Sequence, residues 1–383
     1  MRKYELIAPC HFGLESVLKR EINDLGYDVT ETVDGRVSFA GDEEAVARAN
    51  IGLRTADRVL IKIGSFKAVT YDELFEGTKA LPWEDYIPSD GRFNVVKASS
   101  IKSTLFSPSD IQSIMKKAMV ERLKLKYNLS WFPETGHDYP IRVTILNDNV
   151  TVGLDTSGVT LQKRGYRKLT AKAPIAENLA AALLNLTPWH ADRILVDPFC
   201  GSGTFPIEAA MKAANMAPGV NRDFIACDWN DLVGRSVWKD AFDEAREAID
   251  LSVETDIKGY DLDKDMVDIA RANARLAGVD KLIHFQQQDI KDLRQPGHYG
   301  FIITNPPYGE RLEEKKDLPA LYGTLGERFR ALSDWSMFVI TSFEGTEAAV
   351  GRKADKNRKI YNGMMKTYFY SFMGKKPEKR RQS

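Results

Sequence analysis

Short apolar runs alternate with helical patterns along the second half of the chain, from residue 173 to about residue 340. This alternation predicts a doubly wound parallel sheet with helices on both faces, a Rossmann-like α/β fold. Seven strands are predicted, at residues 193–196, 257–260, 282–285, 301–304, 337–340, 356–361 and 365–372. Helices are predicted at residues 176–186, 205–214, 264–277 and 318–331. Ligands bind such sheets just beyond the carboxyl ends of the strands, so functional residues are expected there.

The sequence Asn305-Pro306-Pro307-Tyr308 follows the fourth of these strands directly. Each proline fixes its own φ near −65° and favours an extended conformation in the residue before it. The carboxamide of Asn305 and the ring of Tyr308 are therefore expected to be held on a stiff backbone at the edge of the sheet. Asn-Pro and Pro-Pro are also ordinary turn formers, so this stretch alone does not separate a catalytic loop from a plain turn.

A loop containing two glycines follows the first strand, with the sequence Asp197-Pro198-Phe199-Cys200-Gly201-Ser202-Gly203-Thr204. Glycines let a ligand approach the backbone closely, and the helix that follows offers unpaired N–H groups. A Walker-type phosphate loop would need a lysine where Phe205 stands, and a dinucleotide loop would need a third glycine in place of Pro206. The acid before the glycines would repel a pyrophosphate, but it suits the cationic end of a sulfonium cofactor. A tight turn without a ligand is the alternative.

Carboxylates also follow the second and third strands. Asp261 ends the second strand, where two acceptor oxygens can bind both hydroxyls of a ribose. Asp289 follows the third strand, where it could accept the amino group of adenine. Either acid taken singly could instead cap a helix. Because Asp197, Asp261 and Asp289 lie at the ends of successive strands of one sheet, the sequence predicts a nucleoside-type cofactor.

The first 161 residues predict two smaller α+β units. Residues 1–65 have the order β-α-β-β-α-β, which is the ferredoxin-like arrangement. The second unit, residues 66–161, is predicted to contain helices at 71–80 and 109–129, a strand at 93–98 and a hairpin at 141–146 and 150–155. The Rossmann-like domain is placed at residues 162–373. The basic tail, residues 374–383, is expected to be disordered.

The formal net charge is zero, so only local clustering can indicate a nucleic-acid partner. Eight basic residues against two acidic ones lie between Arg92 and Tyr127, and a second basic cluster lies at residues 163–172. A solvated helix face would explain the first cluster alone, but two clusters favour a surface that binds a phosphate backbone. The candidate contacts are Lys102, Lys116, Lys117, Lys124, Lys163, Arg164 and Arg167.

The three cysteines, Cys10, Cys200 and Cys227, are far apart and form no Cys-x-x-Cys or Cys/His cluster. This disfavours a zinc site and a disulfide framework, so no metal is expected and a cytoplasmic location is predicted. Cys200 is disfavoured as a nucleophile because it lies inside the glycine loop. No apolar run of about 18 residues and no leader sequence are seen, which predicts neither a membrane span nor a signal peptide.

On these residues the α/β domain resembles the S-adenosylmethionine-dependent methyltransferases. The loop at 197–204 together with Asn305-Pro306-Pro307-Tyr308 is similar to the branch that methylates amino groups. The whole chain resembles the THUMP-domain RNA guanine-N2 methyltransferases, and among them the bacterial family that acts on 23S ribosomal RNA. The resemblance implies a THUMP domain at residues 66–161, a methyltransferase domain at 162–373 and S-adenosylmethionine as cofactor.

The resemblance also implies roles for individual residues. Cofactor binding is expected from Asp197, Pro198, Phe199, Gly201, Ser202, Gly203, Thr204, Asp261 and Asp289. Catalysis is expected from Asn305, Pro306, Pro307 and Tyr308. The Asn305 side-chain oxygen and the Pro306 carbonyl would accept hydrogen bonds from the target amine, and Tyr308 would stack on the target base.

The expected partner is RNA, either 23S ribosomal RNA or its assembly intermediates. Four alternatives remain: adenine-N6 methylation, guanine-N2 methylation of tRNA, methylation of a protein glutamine, and an RNA-binding protein whose methyltransferase domain is inactive. The basic N-terminal half argues against a protein substrate. Retention of the three acids and Asn305 argues against an inactive domain. The oligomeric state is not predicted.

Overall fold

The structure, a computed structural model, describes residues 2–167, 175–309, 312–363 and 365–376. Two compact units are present, and each contains one seven-stranded sheet. Unit 1 comprises residues 1–10, 19–161 and 223–243, and unit 2 comprises residues 11–18, 162–222 and 244–383. Residues 377–383 of the predicted disordered tail and residues 168–172 of the second basic cluster lie outside the described residues.

Unit 1 is a mixed sheet with helices. Its strands are β1 (Lys3–Pro9), β2 (Val29–Val33), β3 (Arg36–Asp42), β4 (Leu60–Lys67), β5 (Arg92–Ile101), β6 (Asp138–Leu146) and β7 (Asn149–Asp155). Its helices are α1 (Glu15–Asp24), whose first turn belongs to unit 2, α2 (Glu43–Gly52), α3 (Tyr71–Ala80) and α4 (Pro108–Tyr127). The strand order is β2-β3-β1-β4-β7-β6-β5, and β5 and β6 form its one parallel pair.

One strand joins the two predicted N-terminal units into a single sheet. β4 pairs with β1 on one side and with β7 on the other, and the boundary predicted between residues 65 and 66 falls inside it. The turn between β6 and β7 lies at Asn147 and Asp148, whose φ angles of 50° and 63° suit a type I′ hairpin. The predicted fold class is confirmed, with the two N-terminal units sharing one sheet.

Residues 223–243 belong to unit 1, although the residues on both sides of them belong to unit 2. The ring of Trp229 stacks on that of Tyr139, with centroids 4.9 Å apart. The hydroxyl of Tyr4 donates a hydrogen bond to the carbonyl of Leu232 at 2.7 Å. The continuous stretch predicted as one domain therefore contains a segment that folds with the N-terminal half.

Unit 2 is the predicted Rossmann-like domain. Its strands are β8 (Leu195–Asp197), β9 (Ile257–Asp261), β10 (Ile283–Gln287), β11 (Phe301–Thr304), β12 (Ser336–Thr341), β13 (Lys356–Asn362) and β14 (Met365–Phe372). Its helices are α5 (Glu177–Leu186), α6 (Thr204–Ala213), α7 (Arg235–Glu247), which begins in unit 1, α8 (Lys264–Ala277), α9 (Leu312–Ala331) and α10 (Thr346–Val350). The strand order is β10-β9-β8-β11-β12-β14-β13, with β14 antiparallel to both neighbours.

The strand order reverses between β8 and β11, which are hydrogen-bonded parallel neighbours. Alternate residues of these strands enter the two apolar layers: Val196 and Ile302 on one face, Leu195 and Ile303 on the other. Burial on both faces explains why the strands read as continuous apolar runs. The reversal creates a crevice at the carboxyl ends of β8 and β11, which is where ligands bind in this architecture.

Helix α9 begins at Leu312, six residues before the predicted start at residue 318. The intervening sequence is Leu-Glu-Glu-Lys-Lys-Asp, which carries too few apolar residues to display a helical period. The predicted start was therefore wrong. The other predicted strands and helices of unit 2 end within two residues of the observed positions.

Candidate active site

A cavity of about 480 Å³ opens in unit 2 at the carboxyl ends of β8, β9, β10 and β11. The predicted cofactor residues on its wall are Asp197, Pro198, Phe199, Gly201, Ser202, Thr204, Asp261 and Asp289. The predicted catalytic residues on the same wall are Asn305, Pro306, Pro307 and Tyr308. Loops more than a hundred residues apart in sequence thus meet at one cavity, and only Gly203 of the predicted set is not on its wall.

Gly203 serves the packing of the loop behind the cavity. Its φ is 88° and that of Gly201 is 50°. Residues with a side chain rarely adopt this backbone conformation. A Cβ on Gly203 would lie 3.0 Å from the Cβ of Ala270 and 3.1 Å from the ring of Phe285. The absence of a side chain therefore lets α6 begin at once, with Thr204 at the cavity wall.

Asp197 lies beneath the glycine loop and is only 2% exposed. Its Oδ1 accepts hydrogen bonds from Thr304 Oγ1 at 2.6 Å and from the N–H of Phe199 at 3.1 Å. Burial raises the pKa of this carboxyl to about 7, against the lowering effect of the two donors. Since Thr304 directly precedes Asn305, the first of these hydrogen bonds ties the predicted cofactor loop to the predicted catalytic loop.

The carboxylate of Asp261 is oriented by the backbone. Its Oδ2 accepts from the N–H of Gly201 at 2.9 Å, and its Oδ1 accepts from the N–H of Asp263 at 3.0 Å. Burial raises the pKa of Asp261 as well. The cap of α8 is Asp263, which accepts from the N–H of Asp265. The alternative in which Asp261 caps this helix is therefore wrong.

Asp289 combines a cap with a place on the cavity wall. Its Oδ1 accepts from the N–H of Lys291 at 2.9 Å and so caps the single 3₁₀ turn at Ile290–Asp292. Lys291 Nζ lies 4.0 Å from the other oxygen, Oδ2. The cap occupies one lone pair of a group that has about four, so capping and ligand binding are compatible at this residue.

The loop after β11 is held by hydrogen bonds that the sequence did not indicate. The hydroxyl of Tyr308 donates a short hydrogen bond to Asn305 Oδ1, and the hydroxyl of Tyr322 lies 3.4 Å from the carbonyl oxygen of Pro307. Burial raises the pKa of Tyr308, while a side-chain hydrogen bond with Asn362 opposes the rise. An amine arriving at Asn305 Oδ1 therefore shares this oxygen with Tyr308 or displaces its hydroxyl.

Arg164 is buried, and its predicted contact with RNA phosphate was wrong. It is 4% exposed, and its Nε lies 3.4 Å from Glu208 Oε1, which also accepts from the hydroxyl of Tyr166 at 3.1 Å. A buried guanidinium paired with a buried carboxylate is not open to a phosphate. The sequence reasoning counted basic residues but did not consider Glu208, which α6 places in the interior.

Arg167 lies at the edge of the cavity and connects residues of its wall by hydrogen bonds. Its Nη2 donates to the carbonyl of Ile175 at 2.7 Å and to Thr204 Oγ1 at 3.2 Å, and it lies 3.2 Å from Glu177 Oε2. Ile175 and Thr204 are both wall residues. A signal for this arrangement was present in the sequence, because Glu177 and Glu208 are each the single acid of a mostly apolar helix.

Replacing Arg164 with alanine is expected to destabilise the fold by about 3–5 kcal/mol, because it leaves the Glu208 carboxylate buried without this partner. Urea unfolding measures the loss. Lys163→Ala, at the exposed neighbour, is the control and is expected to change the free energy of unfolding by less than about 0.5 kcal/mol. Weaker RNA binding with unchanged stability would contradict the structural role of Arg164.

The other predicted phosphate contacts are accessible to different degrees. Lys102, Lys117 and Lys163 are exposed. Lys116 Nζ lies 3.1 Å from Glu134 Oε1, and Lys124 Nζ lies 3.7 Å from Glu121 Oε1, so both charges are partly neutralised. Lys163 belongs to unit 2 and the other four belong to unit 1. RNA contact stays a prediction for all five.

Burial raises the pKa of the Cys200 thiol well above its usual value, which opposes a thiolate nucleophile in agreement with the sequence argument. None of the helices formed by the described residues combines the length and the apolar character needed to cross a membrane. Across the same described ranges, His, Cys, Asp and Glu side chains form no group of three or more that could hold a metal ion.

A doubly wound seven-stranded sheet with an acid-and-glycine loop beside an Asn-Pro-Pro-Tyr loop defines a Rossmann-like methyltransferase. Three domain families match the sequence: an RlmL ferredoxin-like domain at residues 5–60, a THUMP domain at 68–155 and an RMKL-like methyltransferase domain at 164–370. The chain belongs to the RMKL-like methyltransferase family. The family resemblance seen in the sequence is thereby confirmed.

Two curated relatives carry RNA in their names. The putative RNA methyltransferase YpsC of Bacillus subtilis (strain 168) is 47% identical over 384 residues, covering 100% of this chain and 99% of the relative. The ribosomal RNA large subunit methyltransferase K/L of Syntrophotalea carbinolica is 36% identical over 94% of this chain and 52% of the relative. The chain thus spans about half the length of this K/L protein.

Two solved structures share the fold along the whole chain. A putative methyltransferase, SMU.472, complexed with SAH, is 42% identical with a TM-score of 0.92, covering 99% of this chain and 100% of that one. A protein described as a predicted N6-adenine-specific DNA methylase, from Listeria monocytogenes, is 46% identical with a TM-score of 0.92, covering 98% and 97%. SAH is the demethylated form of S-adenosylmethionine. Both descriptions state methyl transfer. The one from Listeria monocytogenes gives adenine in DNA as the acceptor, whereas that of SMU.472 gives no acceptor.

Proposed function

We propose that the protein transfers a methyl group from S-adenosylmethionine to the exocyclic N2 amine of a guanine in RNA, with 23S ribosomal RNA as the substrate. The observation that carries the proposal is the single cavity where three acids and the glycine loop meet Asn305-Pro306-Pro307-Tyr308. The THUMP match and the names of the two curated relatives support RNA as the acceptor. Guanine N2 is supported by the family resemblance of the whole chain.

The residues of the cavity suit S-adenosylmethionine. The acids favour a cationic ligand and disfavour a phosphate, and the side chains of Phe199, Leu262 and Ile290 offer apolar wall for a purine. Asp261 has acceptor capacity left for ribose hydroxyls, and Asp289 has it for an adenine amino group. When bound, the cofactor supplies a methyl group on a sulfonium centre.

Asn305 is the residue proposed to act on the acceptor amine, whose lone pair is delocalised into the base. Hydrogen bonds from the amine to Asn305 Oδ1 and to the Pro306 carbonyl draw this lone pair out of conjugation and aim it into the cavity. The hydrogen bond from Thr304 to Asp197 holds the two loops in place for this step. Asn305 is not a base at neutral pH, so the proton lost after methylation passes to water.

Deleting the gene is expected to remove N2-methylguanosine from 23S ribosomal RNA. Mass spectrometry of nucleosides from purified 23S RNA and, in parallel, from tRNA measures the change. Restoration by the wild-type gene and not by the Asn305→Ala variant ties the modification to the proposed site.

Other outcomes of the same measurement select the alternatives. Loss of N2-methylguanosine from tRNA alone would support a tRNA substrate. Loss of N6-methyladenosine alone would support adenine as the acceptor, the activity named for the Listeria monocytogenes neighbour. Unchanged nucleosides, combined with no calorimetric binding of S-adenosylmethionine at millimolar concentration, would contradict an enzymatic function.

A further inference from the structure

The ribbon of β13 and β14 carries lysines and tyrosines that alternate on one face. In the antiparallel register, Lys359 is opposite Tyr368 and Tyr361 is opposite Lys366. Directly opposed residues lie on the same face of a sheet, so these four side chains form one patch, which we call the ribbon patch. Lys359 Nζ lies 5.2 Å from the centroid of the Tyr361 ring, and Lys366 Nζ lies 5.1 Å from that of Tyr368.

The ribbon patch is the more exposed face of the ribbon tip, although Tyr368 also packs against the apolar layer that contains Tyr370 and Phe372. Ile360 and its partner Thr367 lie between these residues on the opposite face, and both are fully buried. Lys359 and Lys366 are exposed, Tyr361 is 42% exposed and Tyr368 is half-buried. The buried face explains why the ribbon folds, and contact with the core explains Tyr368. Neither explains why Lys359, Tyr361 and Lys366 stand together in solvent on the other face.

The segment that contains the ribbon is strongly basic in an otherwise neutral protein. Residues 351–376 contain one acid, Asp355, and eight basic residues: Arg352, Lys353, Lys356, Arg358, Lys359, Lys366, Lys375 and Lys376. The single acid is paired with Arg352 at 2.9 Å. The whole chain has 54 basic and 54 acidic residues. The local excess is therefore a charge pattern that suits a polyanion.

The ribbon also reaches the catalytic loop. Asn362, the last residue of β13, lies close enough to Tyr308 for its side chain to oppose the rise in the pKa of the Tyr308 hydroxyl. Both residues belong to unit 2, as does the whole cavity. A nucleic acid whose target base enters beside Tyr308 would therefore have its neighbouring nucleotides next to the ribbon.

We propose that the ribbon patch binds single-stranded RNA beside the target nucleotide, with bases stacked on Tyr361 and Tyr368 and phosphates contacted by Lys359 and Lys366. Aromatic rings interleaved with cations are the means by which proteins hold unpaired nucleic acid without reading its sequence. A duplex hides the faces of its bases, so it cannot use the tyrosines. The inference rests on the proposed function only in taking RNA as the acceptor.

Fluorescence anisotropy with a labelled 12-nucleotide oligouridine and the full-length protein tests the lysines. Lys359→Ala/Lys366→Ala is expected to weaken binding about tenfold and to reduce the slope of log K against log salt by about 1.4, because two phosphate contacts are lost. The matched control is Lys19→Ala/Lys281→Ala, which removes two exposed lysines outside the ribbon and is expected to leave affinity within twofold. Equal effects in the two double variants would overturn the proposal.

The tyrosines are tested with a conservative pair. Tyr361→Phe keeps the ring and is expected to bind oligouridine like the wild type, whereas Tyr361→Leu is expected to bind at least fivefold more weakly. A 12-base-pair RNA duplex is expected to bind both variants equally. Equal oligouridine affinity of the two variants would overturn the stacking role.

Photocrosslinking with a 4-thiouridine oligonucleotide, mapped by mass spectrometry, provides a second readout that does not depend on variants. Crosslinks at Tyr361 or Tyr368 are expected, and crosslinks confined to unit 1 would overturn the assignment. None of these measurements requires methyl transfer. A result that contradicts RNA binding by the ribbon patch can therefore be distinguished from one that contradicts guanine methylation.

Discussion

Replacing Asn305 with alanine is expected to lower the rate of methyl transfer by a factor on the order of 10²–10³ while leaving the affinity for S-adenosylmethionine within about twofold. The variant loses the oxygen that accepts from the target amine, but it keeps the backbone of the Asn-Pro-Pro-Tyr loop and the three acids of the cofactor side. Single-turnover assays on a 23S RNA transcript measure the rate, and calorimetry measures the affinity.

Tyr308→Phe is the matched control for this experiment. It removes the hydroxyl that donates to Asn305 Oδ1 and keeps the ring, so a reduction of less than about tenfold is expected for one lost hydrogen bond. Parallel losses of rate and cofactor affinity in Asn305→Ala would identify Asn305 as a structural residue and contradict the catalytic role. Thermal unfolding of each variant separates such losses from misfolding.

Replacing Asp197 with asparagine is expected to weaken S-adenosylmethionine binding roughly 10- to 100-fold and, at the same time, to stabilise the cofactor-free protein at neutral pH. The amide oxygen can still accept from Thr304 and Phe199. The variant lacks the negative charge that attracts the cationic end of the cofactor, and hydrogen bonds to charged groups are the stronger ones. It also removes a buried group that is costly to ionise.

The sign of the stability effect follows from the pKa of Asp197, which burial raises from 3.8 to about 7. The folded protein keeps this proton to a higher pH than the unfolded chain, so stability falls as pH rises from about 4 to about 7 and then stays level. The resulting loss in the free energy of unfolding is at most about 4 kcal/mol. Because asparagine does not ionise, the Asp197→Asn variant does not lose stability in this way as pH rises.

Urea unfolding at several pH values between 4 and 8 measures this difference between Asp197→Asn and the wild type. We expect the stability advantage of the variant to grow up to about pH 7 and to remain constant above it. Asp268→Asn, at an exposed acid of α8, is the control without this trend. A constant advantage across the whole range would mean that Asp197 ionises in the folded state as readily as in water.

The sheet of unit 2 and the place of its site could be predicted because local signals marked the strand ends. Asn305-Pro306 directly follows β11, and Asn362-Gly363 marks the end of β13. Once β8 and β11 are parallel neighbours, residues at their carboxyl ends must share one edge of the sheet, whatever their separation in sequence. Asp197 and Asn305 could therefore be brought together without knowledge of any side-chain contact.

The features that could not be predicted depend on tertiary contacts. Whether Arg164 faces solvent depends on Glu208, which lies 44 residues away in sequence and enters the interior with α6. The hydrogen bond between Tyr308 and Asn305 depends on the side-chain rotamers within a four-residue segment, which composition does not determine. The lysines and tyrosines of the ribbon patch alternate in the sequence, but they form one surface only once the register of β13 and β14 is known.

The chain passes between the two units after residues 10, 18, 161, 222 and 243. Leu14 and Val17 from the N-terminal end belong to the core of unit 2, while Trp229 from the middle of the chain stacks in unit 1. A gene fragment that starts at residue 162 would lack part of its own core, and one that ends at residue 161 would lack a stacked tryptophan. Gene recombination that transferred either half as one uninterrupted segment would therefore separate residues that pack together in the same unit.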